Sequence, residues 1–107
     1  ILNANTSIPK LFKNKKKEIG IRIPDNNIPR EIVKELGNPI VTTSVKNNDM
    51  VLEYSTDPEL IHEYFYNKVD LVISSGYGES TPSTIVKCIE SLPEILRRGK
   101  GDTSLFE

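Results

Sequence analysis

Tryptophan is absent from this chain, and cysteine, histidine and methionine occur once each. One cysteine cannot build a disulfide framework or a cysteine-based zinc site. Cys88 sits in the apolar stretch STIVKCI and is expected to be a buried core thiol. The lone His62, beside Glu63, leaves no second histidine for a metal site and is expected on a helix surface. No G-x-S-x-G elbow occurs, and no Cys/His pair is expected. Nucleophilic catalysis is therefore not expected; chemistry here would rest on positioning and charge stabilisation. No apolar run approaches membrane-spanning length, and no signal-peptide pattern appears. Charge of one sign is missing too: 14 basic and 15 acidic residues leave a net charge of −1. That balance gives no chain-wide attraction to nucleic acid. A cytoplasmic protein without a membrane partner is the expectation.

What is present suits one small α/β domain. The 107 residues are enough for one domain, and 36 % of them are apolar. The first residue is isoleucine, and Ile1-Leu2 reads as part of a strand. A processed N-terminus or a piece of a longer chain is expected from that start. Lys10, Lys13, Lys15, Lys16 and Lys17 crowd one early segment, within which Ile8–Phe12 reads as a short helix. Ile19, Ile21 and Ile23 alternate with Gly20 and Arg22, the period of a strand with one apolar face. Pro24-Asp25-Asn26 ends it, and Asn27 or its neighbour caps a helix with Pro29 in the first turn. Ile32, Val33 and Leu36 form the apolar side, Gly37 follows the C-cap, and Pro39 stops continuation. Pro39–Ser44 is the next predicted strand. Asp57-Pro58-Glu59 opens a second helix, whose apolar face is Leu60, Ile61, Tyr64 and Phe65. Val69–Ile73, Ser83–Ile89 and Ile95-Leu96 read as further strands, and residues 98–107 as a mobile tail. Alternating strands and helices imply α/β, with shorter final links allowing antiparallel pairs.

Four stretches carry polar chemistry. Arg22 projects from an otherwise apolar strand, aimed at a carboxylate or phosphate or else simply at solvent. Thr42-Thr43-Ser44-Val45-Lys46 places hydroxyls and a lysine at a strand end, where open α/β sheets bind ligands. The same hydroxyls could instead satisfy the turning backbone. The loop Ser74–Thr84, rich in glycine and hydroxyls, resembles phosphate-cradling loops in composition, yet no P-loop motif occurs in it. A flexible connection is the plainer reading. Arg97-Arg98-Gly99-Lys100-Gly101-Asp102 offers either closure over an anion, contact with an RNA backbone, or a solvated basic tail.

In order, IGIRIPDN (19–26), LGNPIVTTS (36–44), STDPELI (55–61), KVDLVISSG (68–76), PSTIV (82–86) and EILRRGKGD (94–102) resemble the YrdC/YciO family of threonylcarbamoyl-AMP synthases and their paralogues. The resemblance covers nearly the whole chain. It implies a twisted mixed sheet with flanking helices, of which residues 1–107 would be the C-terminal part of a single domain. It also implies a nucleotide- and RNA-binding protein related to enzymes that form the adenylate from threonine, bicarbonate and ATP for tRNA modification. By that resemblance Arg22 and Ser44 line the ligand crevice, Ser83 and Thr84 approach the nucleotide, and Arg97 contacts its phosphate or ribose side. Thr43 and Lys46 join them as anion-binding candidates. No catalytic residue and no metal ligand is assigned. ATP, with Mg²⁺, is the implied cofactor, and ATP or AMP, threonine, and double-stranded RNA or tRNA are the implied partners.

The departures narrow the expectation. The family's N-terminal half, with a lysine–arginine pair, has no counterpart here, so this chain alone is expected to be inactive. Lys46 stands where the synthases carry the asparagine of an S-x-N motif, an asparagine that the YciO-type branch also lacks. Lysine offers only donors and a charge, whereas an amide also accepts. Lys87 stands where many members carry an acid. The alternative reading is a non-catalytic RNA- or nucleotide-binding paralogue, and a third is a truncated sheet that self-associates through its exposed edge.

Overall fold

The computed structural model describes residues 1–10, 15–45 and 56–107. Two units share the chain: residues 1–40 with 83–107, and residues 41–82.

In the first unit, β1 (Leu2–Asn3) pairs antiparallel with β2 (Glu18–Ile19), Leu2 opposite Ile19 and Asn3 opposite Glu18. Helix α1 (Asn27–Leu36) follows. Its start is chemical: the Asn26 side chain accepts from the Ile28 amide at 2.9 Å, satisfying one of the orphan donors of a helix terminus. Its end is conformational: Gly37 adopts φ +76° and its amide donates to the Val33 carbonyl at 2.9 Å. That left-handed turn suits glycine. Val33 is half-buried, while Leu36 on the same apolar side is exposed.

β3 (Ile85–Lys87) and β4 (Glu94–Arg97) form an antiparallel hairpin. Lys87 pairs with Glu94, Val86 with Ile95, and Ile85 with Arg97, so Leu96 is an extra residue on β4. Such a bulge bends the strand and re-aims the residues beyond it. The Ile1 amino group donates to the Val86 carbonyl at 2.6 Å, and the Cys88 amide donates to the Ile1 carbonyl at 2.9 Å. A Lys87–Glu18 ion pair at 3.0 Å also joins β3 to β2, with both side chains largely covered. A short 3₁₀ turn, Ser104–Phe106, closes the chain.

In the second unit, α2 (Pro58–Phe65) begins as its sequence predicts. Asp57 accepts from the Glu59 amide at 2.9 Å, and Pro58 occupies the first turn. Tyr64 and Phe65 meet edge to face with centroids 4.7 Å apart, and the Lys68 ammonium lies 3.4 Å from the Tyr64 ring centroid. The Gly78 amide donates to the Thr56 carbonyl at 2.8 Å, tying the glycine-rich loop to the approach of α2.

Several sequence expectations are corrected. The predicted strand through Ile23 is paired only at Glu18–Ile19, and neither 39–44 nor 69–73 is a strand. A strand needs a partner ladder, and among the described residues these segments have none. Among the described residues the strand ladders are two small antiparallel pairs. Cys88 is exposed rather than buried; it follows the last residue of β3. No described side chain reaches full burial. The Ile8–Phe12 helix lies partly outside the described residues.

Candidate functional site

The β3–β4 hairpin gathers three of the seven sequence-predicted site residues at its open end. Ser83 precedes β3, and Arg97 ends β4 just past the bulge. The Arg97 guanidinium donates from Nε to the Ser83 carbonyl at 2.8 Å and from an Nη to the Ser83 hydroxyl at 3.1 Å. This fork grips one residue through two oxygens, a geometry that lysine cannot reproduce. Arginine has five donors, so this grip leaves the others for a further acceptor.

Thr84 holds the segment after β4. Its hydroxyl donates to the Gly101 carbonyl at 2.7 Å and accepts from the Gly99 amide at 3.1 Å. Gly101 is needed there for space: a Cβ would stand 3.2 Å from the Thr84 hydroxyl and 3.3 Å from its Cβ. Gly99 and Gly101 belong to the run RRGKGD, read from sequence as closing over an anion, contacting RNA backbone or forming a solvated tail. Their backbone partner is Thr84 of the same cluster.

Residues 98–107 carry further polar contacts. Arg98 donates to the Thr103 hydroxyl at 2.7 Å and also meets the Glu107 carboxylate. Thr103 in turn donates to Glu107 at 2.9 Å. The Arg98 hydrogen bond is the main reason the Glu107 carboxyl titrates below its usual range. Asp102 is lowered as well, chiefly by the Ser104 hydroxyl and then by the Ser104 amide, which lie 2.7 and 3.0 Å away. Sequence reading reached Gly99 and Gly101 only as members of the run 97–102 and did not name Thr103 or Glu107.

The other candidates stand apart from this cluster. Arg22 is exposed and makes no hydrogen bond or ion pair among the described residues. Thr43 and Ser44 belong to the second unit, are exposed, and have no partner among the described residues. Lys46 lies outside the described residues. Within the glycine-rich loop, Gly76 takes φ +88°, and the Gly78 amide is committed to Thr56. His62 is exposed. Among the described residues no group of acidic, histidine or cysteine side chains has a metal-holding arrangement, and no helix is long and apolar enough to cross a membrane.

These features define a small α/β protein with hydroxyl and guanidinium groups concentrated at the open end of a hairpin. The chain belongs to the Sua5/YciO/YrdC family, whose model, described as "Telomere recombination", matches residues 1–99. A protein of Haemophilus influenzae described as uncharacterized is 38 % identical, covering 99 % of this chain and 52 % of that protein. YciO of Escherichia coli is 34 % identical over the same shares of the two chains. The crystal structure of E. coli YciO superposes with a TM-score of 0.84 at 30 % identity, covering 98 % of this chain and 51 % of that one. The chain thus spans about half the length of the curated relatives it matches.

Proposed function

We propose that this chain supplies part of a nucleotide-binding crevice in a YrdC/YciO-like protein of the cytoplasm, related to enzymes that make threonylcarbamoyl-AMP for tRNA modification. The observation that carries the proposal is the Ser83–Thr84–Arg97 cluster, where a guanidinium held by two serine oxygens keeps donors free for an anion. The residues suit ATP through its phosphates: Arg97 as a fork, and the hydroxyls of Ser83 and Thr84 as neighbours. Arg22, of the same unit, is a further contact in this reading, Thr43, Ser44 and Lys46 remain separate anion-binding candidates, and Mg²⁺ would accompany the nucleotide. ATP, when bound, supplies the phosphoanhydride; the chain's own residues bind and orient it. The proposal also treats β2, β1, β3 and β4 as one twisted mixed sheet. Its support is the pair of hydrogen bonds through which Ile1 meets Val86 and Cys88, the pattern of a parallel step, together with the Lys87–Glu18 pair.

Calorimetric titration with Mg-ATP tests it. Arg97→Lys keeps the charge but loses the fork, and ATP affinity should fall on the order of tenfold, the worth of one charged hydrogen bond. Equal affinity of the variant and the original would refute a nucleotide contact at Arg97. With threonine and bicarbonate added, the 107-residue chain alone should release no pyrophosphate. A second reading is a non-catalytic paralogue that binds RNA. It draws on Lys46 at the asparagine position and on the exposed Lys15, Lys16 and Lys17. Binding of duplex RNA that weakens steeply with salt, without ATP binding, would favour it.

A further inference from the structure

A hydroxyl carries one proton and two lone pairs, and at Thr84 the proton is already committed within the chain. It goes to the Gly101 carbonyl at 2.7 Å, and one lone pair takes the Gly99 amide at 3.1 Å. What remains can only accept, and phosphate oxygens are acceptors too. With residues 99–101 in place, Thr84 therefore has nothing to donate to a phosphate. Ser83 differs: its hydroxyl accepts from Arg97 at 3.1 Å, a bond that does not use its own proton. The segment that occupies Thr84 is tied together by its own groups. Arg98 donates to the Thr103 hydroxyl and meets Glu107, and Thr103 donates to the same carboxylate oxygen. Asp102 accepts from both the amide and the hydroxyl of Ser104, and the Phe106 amide donates to the Thr103 carbonyl at 2.9 Å. These side-chain contacts are exposed. Water can replace exposed hydrogen bonds, so the segment opens more readily than packed structure does.

We propose that residues 98–107 are a strap that competes with nucleotide for the Thr84 hydroxyl, and that the Arg98–Thr103–Glu107 contacts set how often the strap releases it. The inference rests on the nucleotide reading of the Ser83–Thr84–Arg97 cluster and adds a regulation of that same site. With the strap closed, only Arg97 and Ser83 of the cluster can donate to a phosphate. With the strap open, the Thr84 proton joins them, so the open state binds a nucleotide more tightly. Strap and nucleotide then oppose each other: what loosens the strap strengthens binding, and bound nucleotide loosens the strap. While the strap is mostly closed, apparent affinity scales with the open fraction.

The test uses two variants that leave the charge unchanged, because removing Glu107 would favour an anion whatever the strap did. Thr103→Val deletes the hydroxyl that links Arg98 to Glu107. Gly101→Ala sets a methyl 3.2 Å from the Thr84 hydroxyl. Each should accelerate hydrogen exchange at the Gly99 amide and strengthen Mg-ATP binding by the same factor, on the order of three- to tenfold, the worth of about one hydrogen bond. In Thr84→Val there is no hydroxyl to release, so adding Thr103→Val should leave ATP affinity where it was. Saturating Mg-ATP should accelerate Gly99 exchange in the original chain. Slower Gly99 exchange with Mg-ATP means that the strap closes over the nucleotide, and overturns the proposal. Faster exchange in the variants with unchanged or weaker ATP binding overturns it as well, and so does an unchanged Gly99 rate in both variants. In each of these cases ATP is still bound, and the nucleotide reading stands. Absence of Mg-ATP binding in the original chain and in both variants refutes that reading itself, and the competition with it.

Discussion

Replacing Thr84 by valine removes one hydroxyl and keeps the branched shape, so it isolates two hydrogen bonds. The donated bond ends on the Gly101 carbonyl in an exposed setting, where water can take over. Its loss should count for little. The accepted bond comes from the Gly99 amide, which is part-buried. An ordinary hydrogen bond contributes about 1 kcal/mol net, and an amide left without a partner costs about 1–3 kcal/mol when buried. Half-burial puts the expected loss at about 1–2 kcal/mol, or roughly five- to thirtyfold in the local opening equilibrium. The assay is native-state hydrogen exchange at the Gly99 amide, which should accelerate by that factor in Thr84→Val. Thr84→Ser keeps the hydroxyl and should stay within a few-fold of the original. An unchanged Gly99 rate in Thr84→Val would refute the claim that this hydroxyl holds the segment.

Two further outcomes concern the same region. Gly101→Ala places a methyl 3.2 Å from the Thr84 hydroxyl; relieving the overlap should cost on the order of 1 kcal/mol and shift the Thr84 resonances, and an unaltered spectrum would count against that close approach. The Glu107 carboxyl is lowered from 4.5 mainly by the Arg98 hydrogen bond. A lowered folded value means that the contact contributes above the ordinary carboxylate range and is lost as pH falls through the lowered value. Carbon-detected titration of Glu107 should show this, and Arg98→Ala should return the midpoint toward its ordinary value; a midpoint indifferent to Arg98 would reject the pairing.

Helix boundaries were legible from sequence because their causes are local. Asn26, Pro29 and Gly37 fix α1, and Asp57 with Pro58 fixes the start of α2, each through groups only a few residues apart. The strands were only half legible. Ile19–Ile23 has strand alternation throughout, but pairing is a property of two segments, and Leu2–Asn3 reaches only Glu18–Ile19. The apolar neighbours of Cys88 suggested burial, yet a residue one step past β3 is not covered by its neighbours in sequence. Ser83, Thr84 and Arg97 were recognisable as a polar set. That Arg97 grips Ser83, and that Thr84 holds Gly99 and Gly101, was not, because those contacts join residues 14 to 17 positions apart.

The hydrogen bonds of Ile1 bear on how the chain folds. They join residues 85 and 87 positions apart, so the first unit draws on both ends of the sequence, with residues 41–82 as an excursion between its two parts. Closure entropy grows slowly with length, about 0.6 kcal/mol for each doubling. The excursion could therefore change length at small equilibrium cost. The rate is another matter, because contacts between distant residues slow the search for the native state. The β3–β4 hairpin and the two helices can form from neighbouring residues, whereas the step that seats Ile1 beside β3 must wait for distant parts of the chain to meet.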